Sequence, residues 1–229
     1  WGQYKSFSSF LQRCAMLLPN SESEYRRLKR DFPAAGDYRV VPNAVDLDLF
    51  PIKETGGDRD HNTVLCAARF EPRKNQLNVI RALNNTNFKV TFVGAPAPNH
   101  QQYYQQCKKE AADNIRFIDF TTQDQLATLY QAHKVHILAS WFETTGLSSL
   151  EAAACGCNIV ITECGDTRDY FGAEAFYCLP GNLKSIAEAV TQAASLPYQQ
   201  TLLHRIQQQF SWQQTAEQTL LAYKRVLNQ

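Results

Sequence analysis

The stretch VHILASWFETTGLSSLEAAACGCNIVITEC, residues 135–164, decides the fold. It opens on one apolar run, VHILAS, and closes on another, NIVITEC. Both are short, rich in aliphatic residues and bounded by turn residues, the pattern of buried strands. Between them lies an alanine-rich run, Leu147–Cys155, with Gly146 before it and Gly156 as its stop. Alanine favours helix, and a glycine just past the last turn ends one. Strand, helix, strand at this spacing is the unit that joins parallel strands.

The same alternation extends on both sides. TVLCAARF, KVTFVGA and IRFIDF read as strands, and so does YRVVPNAV further upstream. Helices are expected over Lys74–Leu83, Tyr103–Ala111 and Gln123–His133; Leu126, Leu129 and Tyr130 form one apolar stripe on the last of these. The fold class is therefore α/β: a Rossmann-like, doubly wound parallel sheet with helices on both faces. Residues 1–36 hold a helix, an apolar run and a second helix, SESEYRRLKRDF. They precede the alternation and read as a hinge or the end of a neighbouring domain, with the sheet domain over 37–229. KETGGDRDHN (53–62) reads as the clearest flexible loop, and FSWQQTAEQTLLAYKRVL as a terminal helix with a polar face.

Bulk composition narrows the function classes. The 229 residues carry a formal net charge of +1, with 44% hydrophobic and 20% charged residues. That balance gives no electrostatic footprint for nucleic acid and no polybasic membrane patch. No apolar run approaches the ~20 residues needed to span a bilayer, and no signal peptide is visible. The chain opens on Trp1, and its one methionine is Met16, so a fragment lacking upstream residues is expected. The cysteine count is seven. Cys14, Cys66, Cys157, Cys164 and Cys178 sit in or beside apolar runs and are expected as reduced, buried thiols. Cys155 and Cys157 with Cys164 do not have zinc spacing, so no metal site is assigned.

In a doubly wound sheet, ligands bind beyond the carboxyl ends of the strands. Arg69, Gly94, Asp119, Glu143 and Gly165 all follow strand runs. In ARFEPRKNQ, Arg69 ends a strand and Lys74 opens the expected helix. Two cations and a positive helix end suit a diphosphate; the alternative is a pair of solvated surface cations. Thr144 and Thr145 are candidate caps of the helix after Gly146, whose lack of a side chain admits a close ligand. Glu143 lies in the turn before that helix and Glu151 about two turns along it. Carboxylates accept from vicinal hydroxyls, so the set suits a ligand with hydroxylated ends and a charged middle; the alternative is one capping acid and one solvated acid. Of the five histidines, only His100, after FVGAPAP, lies near this edge.

Taken in order, these pieces resemble the C-terminal, donor-binding domain of GT-B glycosyltransferases, in particular glycosyltransferase family 4. VVPNAVDLDLF, ARFEPRKNQLNVIRAL, FVGAPAP and the run from IRFIDF to RDYF follow the family's order over nearly the whole chain. Its Glu-x7-Glu element matches Glu143 and Glu151. The resemblance implies one half of a GT-B fold and a retaining transfer of a hexose-type sugar from a nucleotide-sugar donor such as a UDP- or GDP-sugar, with no metal and no other cofactor.

By the same resemblance, Arg69 and Lys74 grip the diphosphate, Glu143 faces the donor sugar and Glu151 holds the ribose hydroxyls. Backbone N–H groups at Gly146 and Leu147 touch the distal phosphate and sugar, with Thr145 beside them. Gly94, Phe120 and Thr121 border the nucleotide, the last two the base. Glu143, Arg69 and Lys74 are the expected catalytic set. A saccharide or lipid-linked acceptor is implied on a missing N-terminal domain, in cytoplasmic polysaccharide biosynthesis with at most peripheral contact with the inner membrane. Ala44 and Asp119 stand where the family commonly has glycine. Thr144 and Thr145 replace a glycine–aromatic pair, and GDT (165–167) replaces a frequent double glycine. A non-catalytic nucleotide-binding module and a sugar-nucleotide epimerase of GT-B shape are the alternatives.

Overall fold

The computed structural model describes residues 2–52 and 59–228, with side chains from residue 7 onward. Two helices, α1 (Gly2–Arg13) and α2 (Glu22–Asp31), precede a six-stranded sheet. Ser21 caps α2 by accepting the Glu24 N–H at 3.0 Å. The strands are β1 (Thr63–Ala67), β2 (Lys89–Val93), β3 (Ile115–Ile118), β4 (Val135–Leu138), β5 (Asn158–Thr162) and β6 (Phe176–Cys178). The helices among and after them are α3 (Gln76–Leu83), α4 (Gln101–Glu110), α5 (Gln123–Ala132), α6 (Leu147–Ala154), α7 (Thr167–Phe171), α8 (Leu183–Ser195), α9 (Gln200–Gln209) and α10 (Trp212–Leu227).

All strand pairs are parallel, in the order β3-β2-β1-β4-β5-β6. The expected doubly wound sheet is present. Alternate residues feed alternate layers, as the pleat requires. Val64 and Cys66 pack with Val79 and Ile80 of α3 and Val190 of α8. Leu65 and Ala67 pack with Tyr130 of α5, Leu150 of α6 and Ile206 of α9. A buried leucine or isoleucine contributes roughly 2–3 kcal/mol through the apolar area removed from water.

Several expectations are corrected. YRVVPNAV forms no strand; Tyr38 and Val45 make single bridges to Leu17 and Ser211. Pro42 has no N–H to give a ladder, and the segment instead ties the start of α10, whose Thr215 hydroxyl donates to Pro42 O at 2.8 Å. Lys74 does not open α3. It ends a 3-10 turn, Pro72–Lys74, and Asn75 at φ 59° separates that turn from the helix. The buried cysteines are Cys66, Cys107, Cys155, Cys157 and Cys178, while Cys14 and Cys164 are half-buried. Cys107 lies on the inward face of α4 and Cys155 closes α6 against the core. Of the loop expected at 53–62, residues 53–58 lie outside the described residues. No helix among the described residues is long and apolar enough to cross a membrane.

Candidate functional site

The strand order reverses between β1 and β4, and a crevice opens beyond their carboxyl ends. One hollow there, about 310 Å³, is walled by Arg69, Arg73, Lys74, Glu143 and the run Thr144–Ser148, with Asn43 at its side. A second, about 260 Å³, is walled by Gly94, Asp119, Phe120, Thr121, Leu126 and Tyr130. The two share Ala67, Ala68 and Ser148, so they form one trough across β1, β2 and β4.

Lys74 Nζ donates to Glu143 Oε1 at 2.5 Å, and both side chains are largely buried, at 16% and 6% exposure. Arg73 Nη1 lies 3.9 Å from the same carboxylate oxygen and donates to Phe142 O at 3.2 Å. The Trp141 N–H donates to Arg73 O at 2.9 Å, which locks the 72–74 turn to the 141–146 turn. Arg69 is exposed at the wall, and its guanidinium makes no ion pair among the described residues. Arg73 also donates to Glu71 Oε1 at 3.0 Å, so Arg69 is the cation of the three that has no carboxylate partner among the described residues, and an anion has charge to meet here.

Gly146, not a threonine, caps α6, at φ 73° and with no side-chain bond to the helix. Its geometry is left-handed, which glycine adopts without a Cβ penalty. Among the described residues no side chain caps the first amides of α6, beside the hollow that Gly146, Leu147 and Ser148 line. Thr145 is buried, and its hydroxyl accepts from Asn43 Nδ2 at 2.8 Å. Gly94 (φ 144°) brings the end of β2 against β1; a Cβ there would stand 2.1 Å from Ala68 O.

Glu143 is held from behind. Its N–H donates to Cys164 O at 3.0 Å, and its carbonyl accepts the Asp166 N–H at 2.9 Å. Gly165 permits this approach: a Cβ there would stand 1.9 Å from Glu143 O. Glu151 borders neither hollow. Tyr130, which lines the second hollow, donates its hydroxyl to Glu151 Oε2 at 3.1 Å. Burial pushes the Glu151 carboxyl up to about 7, and the bond from Tyr130 pulls the other way.

The expected residues thus fall into three groups. Arg69, Lys74, Glu143, Thr145, Gly146 and Leu147 share the first hollow, and Gly94, Phe120 and Thr121 the second. Glu151 sits adjacent, and His100 lines neither hollow but caps α4. Asp119 accepts from the Tyr104 hydroxyl and from Lys108 at 3.4 Å. Sequence reasoning passed over Arg73, Asn43, Ser148 and Tyr130. Arg73 was visible between Arg69 and Lys74 in ARFEPRKNQ, and Asn43 follows the proline of VVPNAV. The other two had no signal beyond helical periodicity.

The family model for glycosyl transferases group 1 matches residues 51–210. D-inositol 3-phosphate glycosyltransferase of Kribbella flavida is 26% identical over 91% of this chain and 56% of its own length. The protein of the same description from Mycobacterium leprae is 27% identical over 92% of this chain and 54% of its own. The chain spans about half the length of the curated relatives it matches. Sucrose-phosphate synthase from Thermosynechococcus elongatus superposes with a TM-score of 0.83 at 20% identity, over 99% of this chain and 62% of that one. Anabaena HepE, solved with UDP and glucose, gives 0.75 at 16%, over 100% and 67%. These structures share the fold expected from the sequence, one half of GT-B architecture. On the match over residues 51–210, the chain belongs to the group 1 glycosyl transferases.

Proposed function

We propose that this chain is the donor-binding part of a retaining glycosyltransferase of family 4, with the nucleotide-sugar domain over residues 37–229 and residues 1–36 ending a preceding one. One observation carries the reading: Arg69, Arg73, Lys74, Glu143 and the glycine-capped start of α6 surround a single hollow at the point where strand order reverses. In this reading the diphosphate lies against Arg69, Lys74 and the α6 amides. The incoming phosphate takes Lys74 from Glu143, whose carboxylate then accepts a donor-sugar hydroxyl. The base extends into the second hollow toward Phe120 and Thr121, and the ribose hydroxyls reach toward Glu151.

Departure of the nucleoside diphosphate builds negative charge on its oxygens while the sugar becomes oxocarbenium-like. Fixed cations and amide dipoles in a sheltered site stabilise that charge where water would have to reorganise. The reading assigns no metal or further cofactor: side chains and helix amides meet the charge. An acceptor attacks from the face the leaving group vacates, and the leaving phosphate takes its proton. The acceptor, a saccharide or lipid-linked saccharide in polysaccharide assembly, is held by a further domain whose closure completes the site. The assigned location is the cytoplasm, with no more than peripheral contact with the inner membrane. The UDP and glucose held by Anabaena HepE make a UDP-hexose the first donor to try.

Thermal unfolding with UDP-, GDP- and ADP-sugars tests this. A donor at one hundred times its dissociation constant should stabilise the chain by ~2.7 kcal/mol. The Arg69→Ala/Lys74→Ala double variant should lose that gain. An undiminished gain in the double variant overturns the phosphate assignment.

A further inference from the structure

The 165–167 segment joins Glu143 to a distant helix. Asp166 is buried, at 1% side-chain exposure, and both its oxygens are taken by the guanidinium of Arg27 on α2: Nη1 donates to Oδ1, and Nη2 to Oδ2 at 2.7 Å. The same Asp166 donates its backbone N–H to Glu143 O. Arg27 also reaches the other flank of the turn, its guanidinium carbon 5.2 Å from the centre of the Phe142 ring. A second strut lies beside it, since the Ser23 N–H and hydroxyl donate to the two oxygens of Asp169 at 2.8 and 3.0 Å.

We propose that Arg27 and Asp166 are a positioning pair: they fix the turn that aims Glu143 and so couple the placement of α2 to recognition of the donor sugar. The proposal rests on the reading of Glu143 above. A buried ion pair is weak as a source of stability but strong as a determinant of geometry. Without Arg27, the Asp166 carboxylate is a desolvated charge with no cation, and its relief is to swing toward water. That movement carries the 164–166 backbone, to which Glu143 is pinned on both sides. Lys74 is bonded to Glu143, and the Trp141 N–H is bonded to Arg73 O, so a shift of this turn reaches the diphosphate grip as well as the sugar contact.

Two variants test this, Arg27→Met and the double Arg27→Met/Asp166→Ala. The double variant removes the buried charge as well as the clamp, and it carries the test if the single variant does not fold. Amide hydrogen exchange at Glu143 and Asp166 should speed up about tenfold or more in each, with the core strands unchanged. Calorimetry should show the gain of a UDP-sugar over UDP falling about fivefold or more, a ratio in which any loss common to both ligands cancels. Unchanged exchange at Glu143 overturns the pair, and so does an unchanged sugar-dependent gain. If the parent chain binds no nucleotide at all, the proposed function fails and the exchange measurement alone decides the pair.

Discussion

Glu151 makes the sharpest pH prediction. Its carboxyl is raised from 4.5 to about 7 by burial, against the opposing bond from Tyr130. Near such a value, about a tenth of the molecules carry the carboxylate at pH 6 and about nine tenths at pH 8. If ribose hydroxyls donate to Glu151, binding selects the ionised form. Donor affinity should then rise about tenfold from pH 6 to pH 8, or ~1.4 kcal/mol, with a proton released below pH 7. Titration calorimetry in two buffers of different ionisation enthalpy measures both quantities. The ligand's phosphate also titrates in this range, and Glu151→Gln supplies the correction because its side chain does not ionise. The variant should bind more weakly at pH 8 and lose the Glu151 share of the slope; a variant with the slope of the parent chain refutes the ribose assignment. Stability runs the other way. Because the folded value is raised, the folded chain binds the extra proton between 4.5 and about 7. That contribution is complete below 4.5 and is lost as pH rises through about 7, up to roughly 3 kcal/mol. Glu151→Gln should not show this decline.

Three further outcomes follow from packing and charge. Lys74→Met leaves the buried Glu143 carboxylate without its closest cation and should cost about 1–3 kcal/mol in urea unfolding, largely recovered in Lys74→Met/Glu143→Gln; additive losses would refute the coupling. Gly165→Ala forces a Cβ to 1.9 Å from Glu143 O at φ 116°, and should cost at least about 1–3 kcal/mol and weaken donor binding; a neutral substitution would show that the loop gives way. His136 is fully buried with its ring lowered from 6.5 to about 3 by desolvation, accepting the Ala67 N–H at Nε2. The folded chain resists that proton, so stability is lost as pH falls below 6.5 toward 3, about 2 kcal/mol by pH 5. Comparing His136→Asn with the parent chain, both in the Glu151→Gln background, isolates this loss, and equal acid dependence would contradict it.

Local pattern carried the main sheet. TVLCAARF, KVTFVGA, IRFIDF, VHILAS and NIVITEC each contain a strand, because an aliphatic run buried on both faces is written in consecutive residues. β6 was passed over because Phe176–Cys178 is three residues long and has no run to read. YRVVPNAV misled for the opposite reason: Val40 and Val41 are half-buried, and Val45 is buried in the core that holds Leu202, Ile206 and Phe210, with no neighbouring strand. The Arg, Lys and paired glutamates were visible as residues in order, and the trough at the strand ends follows from topology.

What the sequence determined by itself was the alternation of strands and helices, and with it the edge of the sheet where a ligand is expected. Hydrophobic period and glycine punctuation act within a few residues of themselves, so a linear reading recovers them. Only the tertiary structure decided that Lys74 meets Glu143, that Gly165 lies against its carbonyl and that Arg27 on α2 neutralises Asp166. Those contacts join residues far apart in the chain. They are set by how whole layers pack and by the need to pair each buried charge, a constraint no local window contains.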